Sequence, residues 1–465
     1  MTRRRRGMAL AGALAATTLA TAAPAGAHGL GGRSDLPLPV WMFAYGAAGA
    51  LVVSFAALAV LWPTARLEGG RIGVLVPPAS PRATDVMAAV GRVVGVAVFA
   101  VVLAAALFGE PDATANIAPV AVYVVFWVGM ILLSALVGDV WRVLNPFDTL
   151  GAAVERLRGP KEAVGDEDED EESPAVDRGY WPAAVGLFAF VWLEIVYPDR
   201  AEPRMLGLAI AVYTIVVLAV VARRGRDWLG RGEAFTAFFG VIAHMAPLYA
   251  DDEGRLRLRP PLVGLATLER RPGLEALVLV GLGSTTFDGI SRTRFWTDLT
   301  DGFGKWPLTV VSTLGLVWGV GLVAIAYFGA MRAMGARQDR DPDELAGAFV
   351  HSLVPIAVAY AVAHYFSLLV FEGQTALALA SDPFGRGWDL FGTARWTVDY
   401  RAVSTTTIAY VQAAAIVAGH VAGVVLAHDR AIALFGKEQA SRSQYPLLAA
   451  MVAFTVGGLA LLLGT

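Results

Sequence analysis

The sequence predicts an all-α fold, a polytopic bundle of transmembrane helices with about ten spans after an N-terminal signal. Composition is the first reason. The chain is 56% hydrophobic and only 17% charged, and its mean hydropathy is +0.57. The apolar residues also form runs of about 20, each long enough to cross a hydrocarbon layer about 30 Å thick. A soluble helical core would need polar faces on these runs, and they have none.

The N-terminus has the pattern of an export signal. Arg3 to Arg6 form a basic segment, an apolar stretch follows, and Ala25-Gly26-Ala27 is typical of a cleavage site. Cleavage of residues 1–27 would leave His28 as the new N-terminus, outside the membrane. The alternative is an uncleaved first helix.

The apolar runs after the signal predict ten membrane-spanning helices. They cover residues 39–62, 86–108, 117–140, 181–198, 205–222, 274–287, 306–329, 343–371, 405–427 and 445–464. Basic residues in short connections favour the cytoplasmic side. Arg66, Arg142, Arg223 and Arg332 lie in such connections, whereas 109–116 carries no Lys or Arg. We therefore expect a multi-pass protein of the inner or plasma membrane with its mature N-terminus outside.

Residues 234–249 interrupt this alternation. The segment is apolar but short, and basic residues flank it on both sides. We interpret it as a re-entrant or interfacial helix on the cytoplasmic side, with a plain span as the alternative. The chain then divides into a first transmembrane half at 28–222, this segment with its loop at 223–273, and a second half at 274–465. Five spans in each half predict a 5+5 inverted arrangement.

The connection 141–180 is predicted to be a cytoplasmic loop with two parts. The first part places Trp141, Leu144 and Phe147 on one side of a helix, which favours a position along the inner membrane surface. The second part contains seven consecutive acidic residues, Asp166 to Glu172. Such a run repels itself and favours a solvated, disordered segment.

Missing residues and motifs exclude several classes of function. The chain has no cysteine, which excludes disulfides, thiolate nucleophiles and cysteine-ligated metal centres. It has no Walker loop, no GxGxxG that opens a helix, no GxSxG and no HExxH, so nucleotide-driven transport and the common motif-bearing hydrolases are not expected. Basic residues in short loops indicate topology rather than nucleic-acid binding. The expected partners are the lipid bilayer and a small solute or ion.

Histidines within the predicted spans are candidates for function, because an imidazole inside a bilayer is costly. His351 and His420 lie on neighbouring antiparallel helices, each about 12 Å from the cytoplasmic edge. If they face each other, they can hold a metal ion, relay protons or ligate haem. The alternative is two packing residues hydrogen-bonded to neighbouring helices. No third ligand lies at the same depth, which favours proton or substrate handling over a tight metal site.

A second group of candidates lies toward the predicted outer side. His364 shares a helix with Tyr360 and Tyr365, and this face is a candidate lining for an outward-facing cavity. Glu194 and Asp288 lie near the outer ends of their spans, where two carboxylates can bind a cation or one can act as a general base. The alternatives are a hydrogen-bonded structural histidine and an Asp-Gly turn at Asp288.

Four stretches of the chain resemble a known family. They are AHGLGGRSDLPLPVWMFAYG, GDVWRVLNPFDTLG, GLGSTTFDGISRTRFW and HSLVPIAVAYAVAHYFSLLVFEGQ. With them, the chain resembles over most of its length a family of bacterial multi-pass membrane proteins that carries the label fenitrothion hydrolase. The resemblance implies hydrolysis of a phosphotriester bond at a membrane. It brings no established catalytic motif and therefore implies no residue roles.

Three functional hypotheses follow. A secondary transporter or ion-coupled permease accounts for the inverted count and the buried His and Glu residues. A membrane-embedded hydrolase of phosphotriester-type substrates accounts for the resemblance, with a metal-activated water as its usual chemistry. A membrane accessory or assembly protein would use the same polar residues for structure. The sequence favours the first hypothesis, and it leaves open whether the chain is an enzyme and whether it binds a metal.

Overall fold

The computed structural model describes residues 39–67, 73–76, 81–158, 178–251 and 253–463. The predicted signal at 1–27, His28 and the acidic run at 166–172 lie outside these residues. The described chain is an almost entirely helical, apolar bundle with three short strands. Such a bundle satisfies its backbone hydrogen bonds internally, which is consistent with an integral membrane protein.

The first part of the described chain runs to residue 224. Its elements are α1 (Val40–Leu61), β1 (Val74–Leu75), α2 (Pro81–Phe108), α3 (Ile117–Val120), α4 (Gly129–Leu136), α5 (Trp141–Leu144), α6 (Pro146–Arg158), α7 (Trp181–Ile195) and α8 (Pro203–Arg224). A π-helical stretch at Ala121–Val128 joins α3 to α4, so that 117–136 is one continuous helix. Such stretches are rare and are frequent at functional sites.

The second part begins with a 3₁₀ turn at Arg226–Trp228. Its elements are α9 (Leu229–Gly232), α10 (Ala234–Ala243), β2 (Leu248–Ala250), β3 (Leu256–Leu258), α11 (Val263–Ala266), α12 (Leu274–Ser291), α13 (Arg294–Thr300), α14 (Lys305–Gln338), α15 (Pro342–Phe349), α16 (Val354–Ala380), α17 (Thr405–Ser443) and α18 (Tyr445–Leu463). Another 3₁₀ turn, Val350–Leu353, joins α15 to α16. Gly436 kinks α17, since its φ of 73° is outside the helical range.

Eight helices in the described part of the chain are long and apolar enough to cross a membrane. They are α1, α2, the helix 117–136, α8, α14, the helix 342–380, α17 and α18. The other two predicted spans, 181–198 and 274–287, correspond to α7 and α12. These helices have 15 and 18 residues, and α12 carries hydroxyl and acidic side chains in its second half. The total of ten spans and the 5+5 arrangement stay predictions.

The connections gather at two ends of the bundle. At one end the backbone N–H of Glu110 donates to the carbonyl of Phe384 (2.9 Å), and Lys305 pairs with Asp199 (2.7 Å). These contacts join connections that the alternation of the predicted spans places outside. We call this the outer end, following the predicted orientation.

The other end, called the inner end below, contains a small antiparallel sheet. Its order is β1-β3-β2, with Leu258 of β3 between Val74 and Leu248. The sheet therefore joins the α1–α2 connection to the segment after α10. Asp429 of α17 holds the same connection, because its carboxylate accepts hydrogen bonds from the Trp62 indole (2.8 Å) and the Leu67 amide (3.0 Å).

Helix α10, which covers most of the short apolar segment, returns to the end from which it came. Just before it, Arg226 donates to Glu155 of α6 (2.8 Å) at the inner end. Just after it, the chain enters the inner-end sheet. Ten residues span only about 15 Å, half of a hydrocarbon layer. Eight of the ten are buried within the bundle.

Charged side chains stabilise both ends of α10. Glu233 accepts hydrogen bonds from the amides of Phe235 (3.1 Å) and Thr236 (2.7 Å) and from the Tyr213 hydroxyl. At the other end the Arg259 guanidinium donates to the carbonyls of His244 and Ala246, each at 3.2 Å. An acid at the N-terminus and a cation at the C-terminus both complement the helix dipole.

Aromatic rings around α10 close the inner half of the bundle. Trp127 stacks on Phe238 with ring centroids 5.5 Å apart, and Phe126 meets Phe239 edge to face at 5.5 Å. We call this group the aromatic plug; its members are Phe126, Trp127, Trp141, Phe190, Phe235, Phe238 and Phe239. The packed rings separate the interior of the bundle from the inner end.

Candidate functional site

Three of the predicted site residues meet toward the outer end. Glu194 comes from α7, Asp288 from α12 and His364 from α16. Arg292 and Tyr365 complete the group through hydrogen bonds to the two acids. We call these five residues the acid–histidine cluster.

Small residues allow α12, the helix that carries Asp288, to lie at the centre of the bundle. A Cβ atom on Gly283 would lie 2.5 Å from the backbone of Val320 in α14, and one on Gly281 would lie 2.7 Å from the ring of Phe238. Neighbouring helices therefore approach α12 closely, as is common in membrane bundles. Fourteen of its 18 residues are buried, including Asp288.

Asp288 makes the central contact of the cluster. Its Oδ2 lies 2.5 Å from Nε2 of His364, and both carboxylate oxygens accept hydrogen bonds from Arg292 at 3.2 Å. The Asp288 and His364 side chains are only 10% and 6% exposed, whereas the Arg292 side chain is 65% exposed. Arg292 therefore connects the buried pair to the outer end.

Glu194 joins the cluster through Tyr365, the residue that follows His364. Its Oε1 accepts a hydrogen bond from the Tyr365 hydroxyl (3.2 Å), and the ring of Tyr365 stands perpendicular to that of His364 at 4.7 Å. The second oxygen, Oε2, is buried and has no hydrogen-bond partner within the described residues. A buried carboxylate with one oxygen unpaired is costly, so this group favours protonation or a further ligand.

The charges of the cluster do not cancel when both acids are ionised. Glu194 and Asp288 repel each other, and Arg292 attracts both. The exposed Arg200 attracts Glu194 from outside the cluster. With His364 neutral, two carboxylates and one guanidinium sum to a formal charge of −1. Because an uncompensated buried charge is unfavourable, one added proton brings the cluster to neutrality. The cluster is thus suited to take up and release one proton.

Hydroxyl groups line α12 just before Asp288. Ser284 and Thr285 donate to the carbonyl of Gly281 (3.1 and 3.0 Å), and Thr286 donates to that of Leu282 (3.1 Å). Their protons are therefore used within the helix. Their oxygen lone pairs remain available as acceptors.

The histidines at 351 and 420 are placed differently. His351, in the 3₁₀ turn before α16, lies beside the backbone of Leu426 and in the field of Arg430. The Nδ1 atom of His420 lies 2.9 Å from the carbonyl of Ile416, and its ring meets Tyr360 at 5.9 Å. Six residues separate His420 from Leu426, about 9 Å along a helix. The two rings thus contact different turns of α17 instead of facing each other at one depth.

Both of these histidines are nevertheless buried polar groups. Nε2 of His351 and Nε2 of His420 have no hydrogen-bond partner within the described part of the chain. Among the described residues no group of three or more His, Asp and Glu side chains is close enough to hold a metal ion. Metal binding by His351 and His420 stays a prediction, and the geometry gives each ring a separate environment.

Sequence reasoning missed three charged residues that organise the interior. Arg292 follows Asp288 by four positions on one helix face, a spacing that indicates an ion pair. Glu233 immediately precedes the short apolar segment, the place of a helix N-cap. Arg259 carries no comparable local signal, because the carbonyls that it binds are 13 and 15 residues earlier in the chain.

Comparison with known proteins does not identify a function for this site. No protein-family model, curated protein or solved structure matches the chain. The acid–histidine cluster and the short helix α10 are therefore interpreted from their own contacts.

Proposed function

We propose that the protein is an ion-coupled secondary permease of the cell membrane and that the acid–histidine cluster is its proton-handling site. One observation carries the proposal. Titratable side chains from three helices, Glu194, Asp288 and His364, converge in the bundle with a formal charge that a single proton neutralises. Coupled transport needs such a group, because uptake and release of a proton must change the electrostatics of the site.

The position of α10 supports the same proposal. Transporters commonly place their sites beside short or broken helices, with substrate and ion near the middle of the membrane. Here α10 packs against α4, α7 and α16, and two of these helices, α7 and α16, carry cluster residues. A rearrangement of α10 would therefore move the helices that carry Glu194 and His364. The predicted 5+5 arrangement agrees with this class of protein.

A membrane-embedded hydrolase is the second candidate, and the contact between Asp288 and His364 favours it. A carboxylate on Nε2 orients an imidazole and leaves Nδ1 as the proton-transfer atom, which is the arrangement of a general base. The resemblance to the family labelled fenitrothion hydrolase implies a phosphotriester substrate. In this role His364 would activate the attacking water.

One preparation tests both candidates. Purified protein is reconstituted in liposomes that contain a pH-sensitive dye, and gradients of Na⁺, K⁺, Mg²⁺ and inorganic phosphate are applied in turn. We expect an internal pH change with at least one gradient. Asp288→Asn is expected to lower its rate by about tenfold or more, whereas Asp199→Asn, at an exposed pair in the outer connection, leaves it unchanged.

The same vesicles are then given a nitrophenyl phosphotriester. Release of nitrophenolate that depends on His364, together with no pH change under any gradient, would replace the permease proposal with the hydrolase. Absence of both activities, with a second protein that co-purifies in fixed ratio, would identify an accessory protein. Each outcome thus selects one of the three functions.

A further inference from the structure

A small cavity lies directly beside the acid–histidine cluster. Its volume is about 10 Å³, and its lining includes Trp127, Phe238, Gly281, Thr285, Ala361 and Tyr365. Tyr365 belongs to both the cavity and the cluster, while Phe238 belongs to the aromatic plug. The cavity therefore occupies the space between the site at the outer side and α10 at the inner side.

The polar atoms of the lining include one donor without a close acceptor. Nε1 of Trp127 is buried and makes no hydrogen bond of ordinary geometry within the described residues, and its N–H interacts with the Tyr365 oxygen only from beyond that distance. Trp127 itself is only 4% exposed. The hydroxyl of Thr285 donates to Gly281 and that of Tyr365 donates to Glu194, so both oxygens keep lone pairs for a further partner.

The donors and acceptors of the lining determine which kind of molecule can bind in the cavity. The Trp127 N–H requires an occupant that accepts a hydrogen bond, whereas Thr285 and Tyr365 offer oxygens that accept one. Water does both. An ammonium or metal cation has no lone pair for the indole N–H and would be repelled by it. A volume near 10 Å³ with three polar partners is also about what a single buried water needs.

We propose that one water molecule occupies this cavity and relays protons to Glu194 through Tyr365, so that the ion coupled to transport is the proton. The water accepts from Trp127 and donates to Thr285 and to the Tyr365 oxygen. A proton that reaches this water passes to the Tyr365 oxygen as the Tyr365 proton moves to Glu194. Water and tyrosine end neutral, and Glu194 ends protonated. The relay rests on the proposed function and specifies its ion.

The aromatic plug forms the boundary of the relay toward the inner end. The Phe238 ring packs on Gly281 so closely that a Cβ atom there would lie 2.7 Å from it. No polar atom can enter at that contact while α10 keeps this position. At this contact Phe238 therefore closes the path between the relay water and the inner side.

Hydroxyl-radical footprinting tests the water itself, independently of transport. X-ray radiolysis of the protein in lipid nanodiscs generates radicals from bound water, and mass spectrometry measures the oxidation rate of each residue. Tyr365 is expected to react several-fold faster than Tyr327. Tyr327 is comparably buried, at 3% exposure, does not line the cavity, and donates its hydroxyl proton to the Ala346 carbonyl. Equal rates for the two tyrosines would overturn the proposal.

A cavity-filling variant tests the relay. Ala361→Val fills the space without removing a polar partner, and Trp127→Phe removes the donor and keeps most of the ring. Both are expected to lower the rate of the liposomal pH change several-fold and to lower Tyr365 oxidation. Ala56→Val, on the exposed face of α1, is the size control. Lowered Tyr365 oxidation with an unchanged pH response in both variants would overturn the relay alone, because transport would then proceed without the water. A wild type without any pH response would overturn the proposed function together with it.

Discussion

Nε2 of His364 lies 2.5 Å from Oδ2 of Asp288, although 76 positions separate the two residues in the chain. The contact joins the centre of α16 to the outer part of α12, and Arg292 connects it to the outer end. A buried histidine and carboxylate in direct contact share a proton whose position depends on every neighbouring charge. Several consequences can be measured.

Removal of the Asp288 carboxylate should destabilise the protein. In Asp288→Ala, His364 loses its partner inside the bundle, while the exposed Arg292 can turn to solvent. We expect the free energy of unfolding to fall by about 1–3 kcal/mol, the cost of an unsatisfied buried polar group. Denaturant titration in detergent, followed by circular dichroism, measures it. Asp199→Ala breaks only an exposed ion pair, so its effect should be clearly smaller. Equal effects would contradict the central position of Asp288.

The N-cap of α10 should hold that helix in place. Glu233→Ala removes the acceptor for the amides of Phe235 and Thr236 and for the Tyr213 hydroxyl. We expect a loss of about 1–3 kcal/mol and faster amide hydrogen exchange in residues 234–243. Glu253→Ala, at an exposed side chain of the inner loop, is the control. Unchanged exchange in α10 would show that its aromatic packing alone holds it.

Acidification should loosen the contact between α6 and the turn before α9. The hydrogen bond from the Arg226 side chain lowers the pKa of Glu155 below its usual range. Because the folded pKa is the lower one, this contact stabilises the fold above the unfolded pKa of about 4.3, and the contribution is lost as the pH falls through the folded value. Wild type should therefore show slower hydrogen exchange than Glu155→Gln in residues 146–158 at neutral pH. The two should converge in acid, and a difference that persists there would disprove the assignment.

Two adjacent glycines of α18 should respond oppositely to alanine. A Cβ on Gly458 would lie 1.9 Å from the Tyr360 hydroxyl, which donates to the Phe454 carbonyl, whereas a Cβ on Gly457 meets nothing within 4 Å. Gly458→Ala should cost about 1–3 kcal/mol by overpacking. Gly457→Ala should be neutral or slightly stabilising, because alanine favours the helix. Thermal unfolding of both variants checks the α16–α18 contact, and a tolerated Gly458→Ala would argue against it.

His351 and His420 should act independently of each other. Their rings contact different turns of α17, so a double-mutant cycle with His351→Gln and His420→Gln should be additive within about 0.5 kcal/mol in unfolding free energy. A larger coupling energy, or a stoichiometric metal ion lost in either single variant, would instead support the pair predicted from the sequence. Elemental analysis of the three purified proteins supplies the second readout.

Much of the fold could be predicted because the membrane imposes a local rule. A segment that crosses hydrocarbon must be apolar over about 20 residues, and each of the eight long helices carries that signal in its own sequence. The short segment at 234–249 stood out for the same reason, since its length and its two basic flanks conflict with a span. The site could be predicted in part for the same reason. Glu194, Asp288 and His364 were candidates because each is a polar residue in an apolar run.

The sequence could not show which of these candidates are in contact, because residues that pack against each other between helices are distant in sequence. His351 and His420 had matching estimated depths, yet the glycines of α17 set a register in which Gly423 meets Ser352 and Gly419 meets Pro355 and Ala359. That register separates the two histidines. His364 and Asp288 come together because Gly283 lets α12 lie deep between α14 and α16.

The sequence by itself determined the class of protein, the position of its long helices and a short list of buried polar residues, because hydrophobic length and the cost of burying polar groups are properties of local segments. Only the tertiary structure decided that Asp288 pairs with His364, that Glu194 keeps one oxygen unpaired, and that α10 and its aromatic rings lie beneath them. These depend on the register and close approach of helices that are far apart in the chain, and side-chain packing sets both.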